Sequence, residues 1–193
     1  MKKPKVLALV SNGVEEMELV ITVDLLRRAG IDVDIVSIQD QIVECSRNVK
    51  IVTDKTLELE NLDEFIKEYD ALFIPGGSNN AQNLKNHEPT KIIIEHFMNS
   101  NKIVSAICAG PTVINKHYKL NNYKATCYPT LKEEIPNFEE RSVVEDRNLI
   151  TSQGPATTFE FALKLIEKLK NKETRETVSK ATLFEEYFKI SKV

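Results

Sequence analysis

Lys102-Ile103-Val104-Ser105-Ala106-Ile107-Cys108-Ala109-Gly110-Pro111-Thr112-Val113-Ile114 is the stretch from which the fold can be read. Ile103 to Ile107 form a short run of apolar and small residues, as expected of a strand buried on both faces. The run stops at a cysteine. Gly110-Pro111 follows at once, where proline suits the first turn of a new helix. Cys108 is therefore expected in a tight strand-to-helix turn at the carboxyl end of a sheet, the geometry of a nucleophile elbow without its Gly-x-Ser-x-Gly pattern. Amide groups opening the next helix would lower the thiol pKa and offer hydrogen bonds to an anion. Free cysteine is also a common small buried hydrophobe, so position alone leaves both readings open.

The segments on either side repeat the sequence of core strand, turn and helix. Lys5-Val6-Leu7-Ala8-Leu9-Val10 reads as a central strand and Ser11-Asn12-Gly13 as its turn. Residues 15–29 read as a helix with Glu15 and Glu16 at its amino end, Arg27 and Arg28 at its carboxyl end, and Gly30 at the C′ position. Two apolar lines, one through Met17, Val20 and Ile21 and one through Leu19, Val23 and Leu26, predict a broadly buried helix. Residues 31–35 alternate apolar with acidic, as in a half-exposed strand near the sheet edge, and complete a right-handed β-α-β unit.

Residues 41–56 hold two β-rich pieces around Ser46-Arg47-Asn48, which predicts a hairpin. A short helix over 62–69 precedes the strand Ala71-Leu72-Phe73-Ile74, which ends in Pro75-Gly76-Gly77. Two adjacent glycines let backbone amides approach a ligand, or they only turn the chain. A helix over 88–100 leads into the Cys108 strand, so Gly77 and Cys108 should lie side by side. Beyond it the pattern predicts a strand over 124–128, a short helix over 130–138 cut at Pro136, a hairpin turned by Asp146-Arg147-Asn148, an amphipathic helix over 157–169 and a last helix over 173–180. Leu183, Phe184, Tyr187 and Phe188 make the tail too apolar for a solvated end, and it should pack on its own domain or on a partner. Alternating strands and helices give an α/β fold with a mostly parallel sheet. Residues 1–193 are expected to form one domain, with a helical extension over about 173–193.

Composition narrows the function. A chain of 193 residues with 41% hydrophobic and 28% charged residues and a net charge of -3 is that of a globular protein with no electrostatic reason to bind nucleic acid or an anionic membrane. The basic start, Met1-Lys2-Lys3-Pro4-Lys5, precedes an apolar run too short for a signal-peptide core, and no stretch reaches the ~20 apolar residues of a membrane helix. The cytosol is the expected compartment. Cys45, Cys108 and Cys127 are odd in number and widely spaced, which predicts free thiols and no metal or redox motif.

A nucleophilic thiol usually has a base or a pKa-lowering neighbour. None of the three histidines, His87, His96 and His117, follows a core strand. Glu18 is the better partner: it lies one turn into the helix that starts at the carboxyl end of the first core strand, between Met17 and Leu19. Turned towards the strand edges, it would be held protonated by burial and could donate a hydrogen bond to sulfur. The alternative is a solvated helix carboxylate.

Taken together and in order, Gly13-Val14-Glu15-Glu16-Met17-Glu18, Leu26-Arg27-Arg28-Ala29-Gly30, Cys45-Ser46-Arg47-Asn48-Val49, Pro75-Gly76-Gly77, Ala81-Gln82-Asn83-Leu84, Ala106-Ile107-Cys108-Ala109-Gly110-Pro111, and Gly154-Pro155 with Phe159-Glu160-Phe161-Ala162 resemble the ThiJ/PfpI superfamily. More narrowly they resemble its parkinsonism-associated deglycase (DJ-one) branch. The resemblance implies a flavodoxin-like three-layer sandwich, usually a homodimer, with no metal or organic cofactor. It makes Cys108 the reactive cysteine, Glu18 its protonated partner, and Gly76, Gly77 and Ala109 oxyanion- or substrate-binding positions, with the Gly77 and Ala109 amides forming the anion pocket. Arg47 would approach the site across the dimer. Ala109 stands where the peptidase branch has histidine, and Tyr128, before Pro129, stands where the deglycase branch often has one. A tyrosine hydroxyl there can still bond a substrate.

The leading expectation is then a glyoxalase or deglycase acting on α-oxoaldehydes such as methylglyoxal, free or as early glycation adducts on protein. The alternative is an oxidative-stress sensor or redox-regulated chaperone in which Cys108 becomes a sulfinic acid. Peptidase or amidase chemistry lacks its histidine.

Overall fold

β1 (Lys5–Val10) is apolar after its first residue because both of its faces are covered. Val6, Ala8 and Val10 enter one hydrophobic core and Leu7 and Leu9 the other, since successive side chains of a strand point to opposite sides. The computed structural model describes residues 3–188. Beside β1 lie β2 (Asp32–Ser37), β5 (Lys55–Thr56), β6 (Ala71–Ile74), β7 (Ile103–Ile107), β8 (Val143–Asp146) and β9 (Leu149–Ser152), in the order β5-β2-β1-β6-β7-β9-β8. Every pairing in this sheet is parallel except the antiparallel pair of β8 and β9.

α1 (Glu16–Arg28), α6 (Thr158–Leu169) and α7 (Lys172–Ala181) pack on one face, where Leu19, Leu26, Phe161, Leu165 and Val178 are buried. The other face is covered by α2 (Leu62–Lys67), α3 (Ser78–Asn86), α4 (Glu88–Asn99) and α5 (Gly110–His117), through Ile66, Leu84, Ile93, Phe97 and Val113. The result is the expected three-layer α/β sandwich. The chain leaves β1 for β2 on one side and returns to β6 on the other, so the carboxyl ends of β1 and β6 flank a topological switch point, where α/β sheets place their sites. Among the described residues, no helix is long and apolar enough to cross a membrane.

Several sequence expectations need correction. α1 buries the Leu19 line together with Glu18, Thr22 and Leu25, whereas Met17 and Val20 of the other apolar line stand half-exposed on its outer side. β5 was not expected, because a two-residue edge strand carries no periodicity. α3 was hidden by its composition: it buries only Ala81, Leu84 and the polar Asn80. The segment 124–128 is not a strand. Its amides bond instead to Asp146 Oδ2, Thr151 Oγ1 and the Cys108 carbonyl, leaving one isolated bridge between Ala125 and Phe138. The short helix after it is a 3-10 turn over Pro129–Glu134. The hairpin over 41–56 is present as β3 (Ile42–Glu44) and β4 (Lys50–Val52).

The tail continues into α8 (Phe184–Tyr187), where Phe184 stacks on Phe159 of α6 and so packs on its own chain. Tyr187 and Phe188 remain exposed. Residues 189–193 of the expected extension, and Met1 and Lys2 of the basic start, lie outside the described residues.

Candidate active site

Cys108 follows β7 with φ of 61°, a left-handed conformation that costs a non-glycine residue about 1–2 kcal/mol. Two backbone bonds hold it there: its N–H donates to Ser152 O at 3.0 Å, and its carbonyl accepts from Tyr128 N–H at 2.9 Å. The segment 124–128, which joins no ladder, thus serves as a clamp on the turn. The side chain is only partly buried.

Glu18 lies in the first turn of α1 and is fully buried. The solvated alternative is thereby excluded. Its Oε2 accepts from Gly76 N–H at 2.7 Å, whereas Oε1 is buried with no partner. An ion left half-solvated in this way is costly, and burial pushes the carboxyl up to about 7 against the lowering effect of the Gly76 and Cys108 bonds. The thiol feels burial first and the Glu18 carboxylate second, and together they push it up to about 12, although the Gly77 and Ala109 amides that bond the sulfur act the other way. The expected low-pKa thiol is therefore not found while Glu18 is charged. The carboxyl and the sulfur share one proton across the interval between these values. Moving that proton to Glu18 removes the opposing charge and turns the carboxyl from an acceptor into a donor towards sulfur.

Gly76 and Gly77 are required by space. A Cβ on Gly76 would stand 2.5 Å from Glu18 Oε2 and 2.6 Å from Cys108 Cβ. Above the sulfur lies a cavity of about 350 Å³ whose lining includes Glu15, Glu18, Arg47, Gly77, Cys108 and Tyr128. Arg47 lines the cavity of its own chain, so its presence there needs no second copy. Its backbone N–H donates to Glu16 Oε1 at 2.9 Å, and Ser46 Oγ lies 2.6 Å from Glu15 Oε2. Tyr128 is 43% exposed, at the mouth. Ala109 also lines it, as expected, and Ser46, Ser78, Thr130, Leu131 and Pro155, which the sequence does not single out, complete the lining. Ser46 and Pro155 stood inside recognised motifs; the other three carried no signal. Among the described residues, no group of three or more potential metal ligands exists.

The profile of the DJ-1/PfpI family matches residues 4–168. The chain belongs to this family. Protein dj-1beta of Drosophila melanogaster is 36% identical over 182 residues, which cover 92% of this chain and 95% of that protein. A relative in Schizosaccharomyces pombe, named glutathione-independent glyoxalase DJ-1, is 32% identical over 92% of this chain and 97% of its own length. The solved structure of oxidized Toxoplasma gondii DJ-1 superposes with a TM-score of 0.86 at 35% identity, covering 93% of this chain and 98% of that one. The DJ-1/PfpI match spans all the motifs from Gly13 to Ala162, while α7 and α8 lie beyond it.

Proposed function

We propose that this DJ-1/PfpI protein is a cofactor-independent glyoxalase that converts α-oxoaldehydes such as methylglyoxal into hydroxy acids. The observation that carries the reading is the Glu18-Cys108 pair: a fully buried carboxyl, raised to about 7 by burial, set beside a thiol at the floor of an open cavity. The glyoxalase name of the fission-yeast relative supports it.

In the first step sulfur adds to the aldehyde carbon, the carbonyl π electrons move to oxygen, and the pair's proton ends on that oxygen, giving a hemithioacetal and a Glu18 carboxylate. The Gly77 and Ala109 amides sit where developing charge near sulfur can be held. Glu18 then removes the proton from the former aldehyde carbon and returns it to the neighbouring carbon. The hydroxyl proton passes between the two oxygens, and the hemithioacetal becomes an isomeric thioester. Water cleaves the C–S bond, releasing lactate and restoring the thiol. One water is consumed overall and no external oxidant or reductant is needed. A carboxyl poised near neutrality suits both directions of proton transfer.

The test is lactate formation from methylglyoxal by the purified protein without glutathione. A rate proportional to protein concentration is expected; product at the level of the protein-free control would overturn the reading.

A further inference from the structure

Asn80 is a fully buried polar residue on α3, which the sequence did not reveal. Its side-chain orientation is fixed by its partners. Oδ1 accepts from Ser11 N–H at 2.7 Å, and Nδ2 faces the carbonyl oxygens of Pro75 at 3.0 Å and Gly76 at 3.2 Å. A flipped amide would set an acceptor against two acceptors and a donor against a donor.

The two carbonyls belong to successive peptide units, and no peptide here is cis. In a planar trans peptide the C=O and N–H point in opposite directions. Holding the Pro75 oxygen therefore sends the Gly76 N–H the other way, where it meets Glu18 Oε2 at 2.7 Å. Holding the Gly76 oxygen, which also accepts from Glu15 N–H at 3.1 Å, turns the Gly77 N–H towards the Cys108 sulfur. We infer that Asn80 is a positioning residue: by holding two consecutive carbonyls it aims one amide at the acid and the next at the nucleophile. Ser11, at the end of β1, anchors it from behind, with Asn83 Nδ2 bonded to the Ser11 hydroxyl at 3.2 Å. The reacting atoms are thereby tied to the core strand through an amide that touches neither of them.

The inference rests on the roles proposed for Glu18 and Cys108, but its test needs no aldehyde and so can fail separately. The rate of Cys108 alkylation by iodoacetamide is followed against pH by peptide mass spectrometry in wild type, Asn80→Ala, the milder Asn80→Ser, and Ile93→Val as a core control away from the site. Both amides favour the negatively charged form of the group they face, so releasing them moves the reactivity step to higher pH. A shift of about one unit, read as a roughly tenfold slower reaction at pH 7, is expected for either Asn80 variant. Ile93→Val should lower the melting temperature and leave the profile in place. A wild-type profile in whichever Asn80 variant folds would overturn the inference, because a purely structural residue would change only the melting temperature.

Discussion

Replacing Cys108 by serine should abolish lactate formation, lowering kcat/KM by about 10³-fold or more, equivalent to roughly 4 kcal/mol of lost transition-state stabilisation. Serine fits the turn and can still bond Glu18, so binding and fold are expected to survive. What disappears is nucleophilicity. A hydroxyl at its ordinary pKa is a weak nucleophile, and a carboxyl poised at about 7 is too weak a base to activate it. Steady-state lactate assays on protein whose melting temperature stays within a few degrees of wild type check this expectation. Equal rates for the two proteins would show that Cys45, Cys127 or no cysteine carries the chemistry.

The largest stability effect is expected at Gly77. Its φ is +93°, and an added Cβ would stand 2.0 Å from Gly13 O and 2.8 Å from Glu15 N, both backbone atoms of the loop that opens α1. Neither can move without disturbing the amides that face Glu18 and Cys108. Gly77→Ala should therefore cost more than about 4 kcal/mol and remove activity in any fraction that folds. Gly30→Ala is the control: φ is +70° there, but nothing lies within 4 Å of the added carbon. Its cost should be only the left-handed penalty of about 1–2 kcal/mol. Denaturant melts of both variants check the difference, and similar losses would contradict the steric account.

The parts of the fold that were legible are those where burial imposes a pattern. β1, β6 and β7 are covered on both faces and read as unbroken apolar runs, while α1 announces itself by the charges at its ends and by Gly30. The hidden parts are held by polar bonds. α3 buries an asparagine, and the segment 124–128 spends its amides on side chains and on the Cys108 turn, so neither shows a hydrophobic period. The corner at Cys108 was visible from Gly110-Pro111. The burial of Glu18 was not, because three-dimensional packing against Gly76 decides it. The thiol's upward shift is not legible either, because helix-end amides and a protonated Glu18 argue for a lowered pKa, whereas burial of the sulfur and a charged Glu18 beside it raise it. Asn80 was invisible because its significance lies in two carbonyls, and carbonyls carry no sequence identity.

Everything proposed for the site depends on one proton shared by Glu18 and Cys108. The most direct measurement is the pH profile of Cys108 alkylation in wild type and in Glu18→Gln. Below about pH 7 both groups are protonated and the reaction is slow. Above it the carboxyl can hold the one remaining proton as sulfur attacks, so the wild-type rate should rise in a single step near pH 7 and then level off. Glu18→Gln cannot take up that proton, and its step should move to higher pH. A wild-type rate that climbs only as the pH approaches about 12, or identical profiles in the two proteins, would contradict the shared proton.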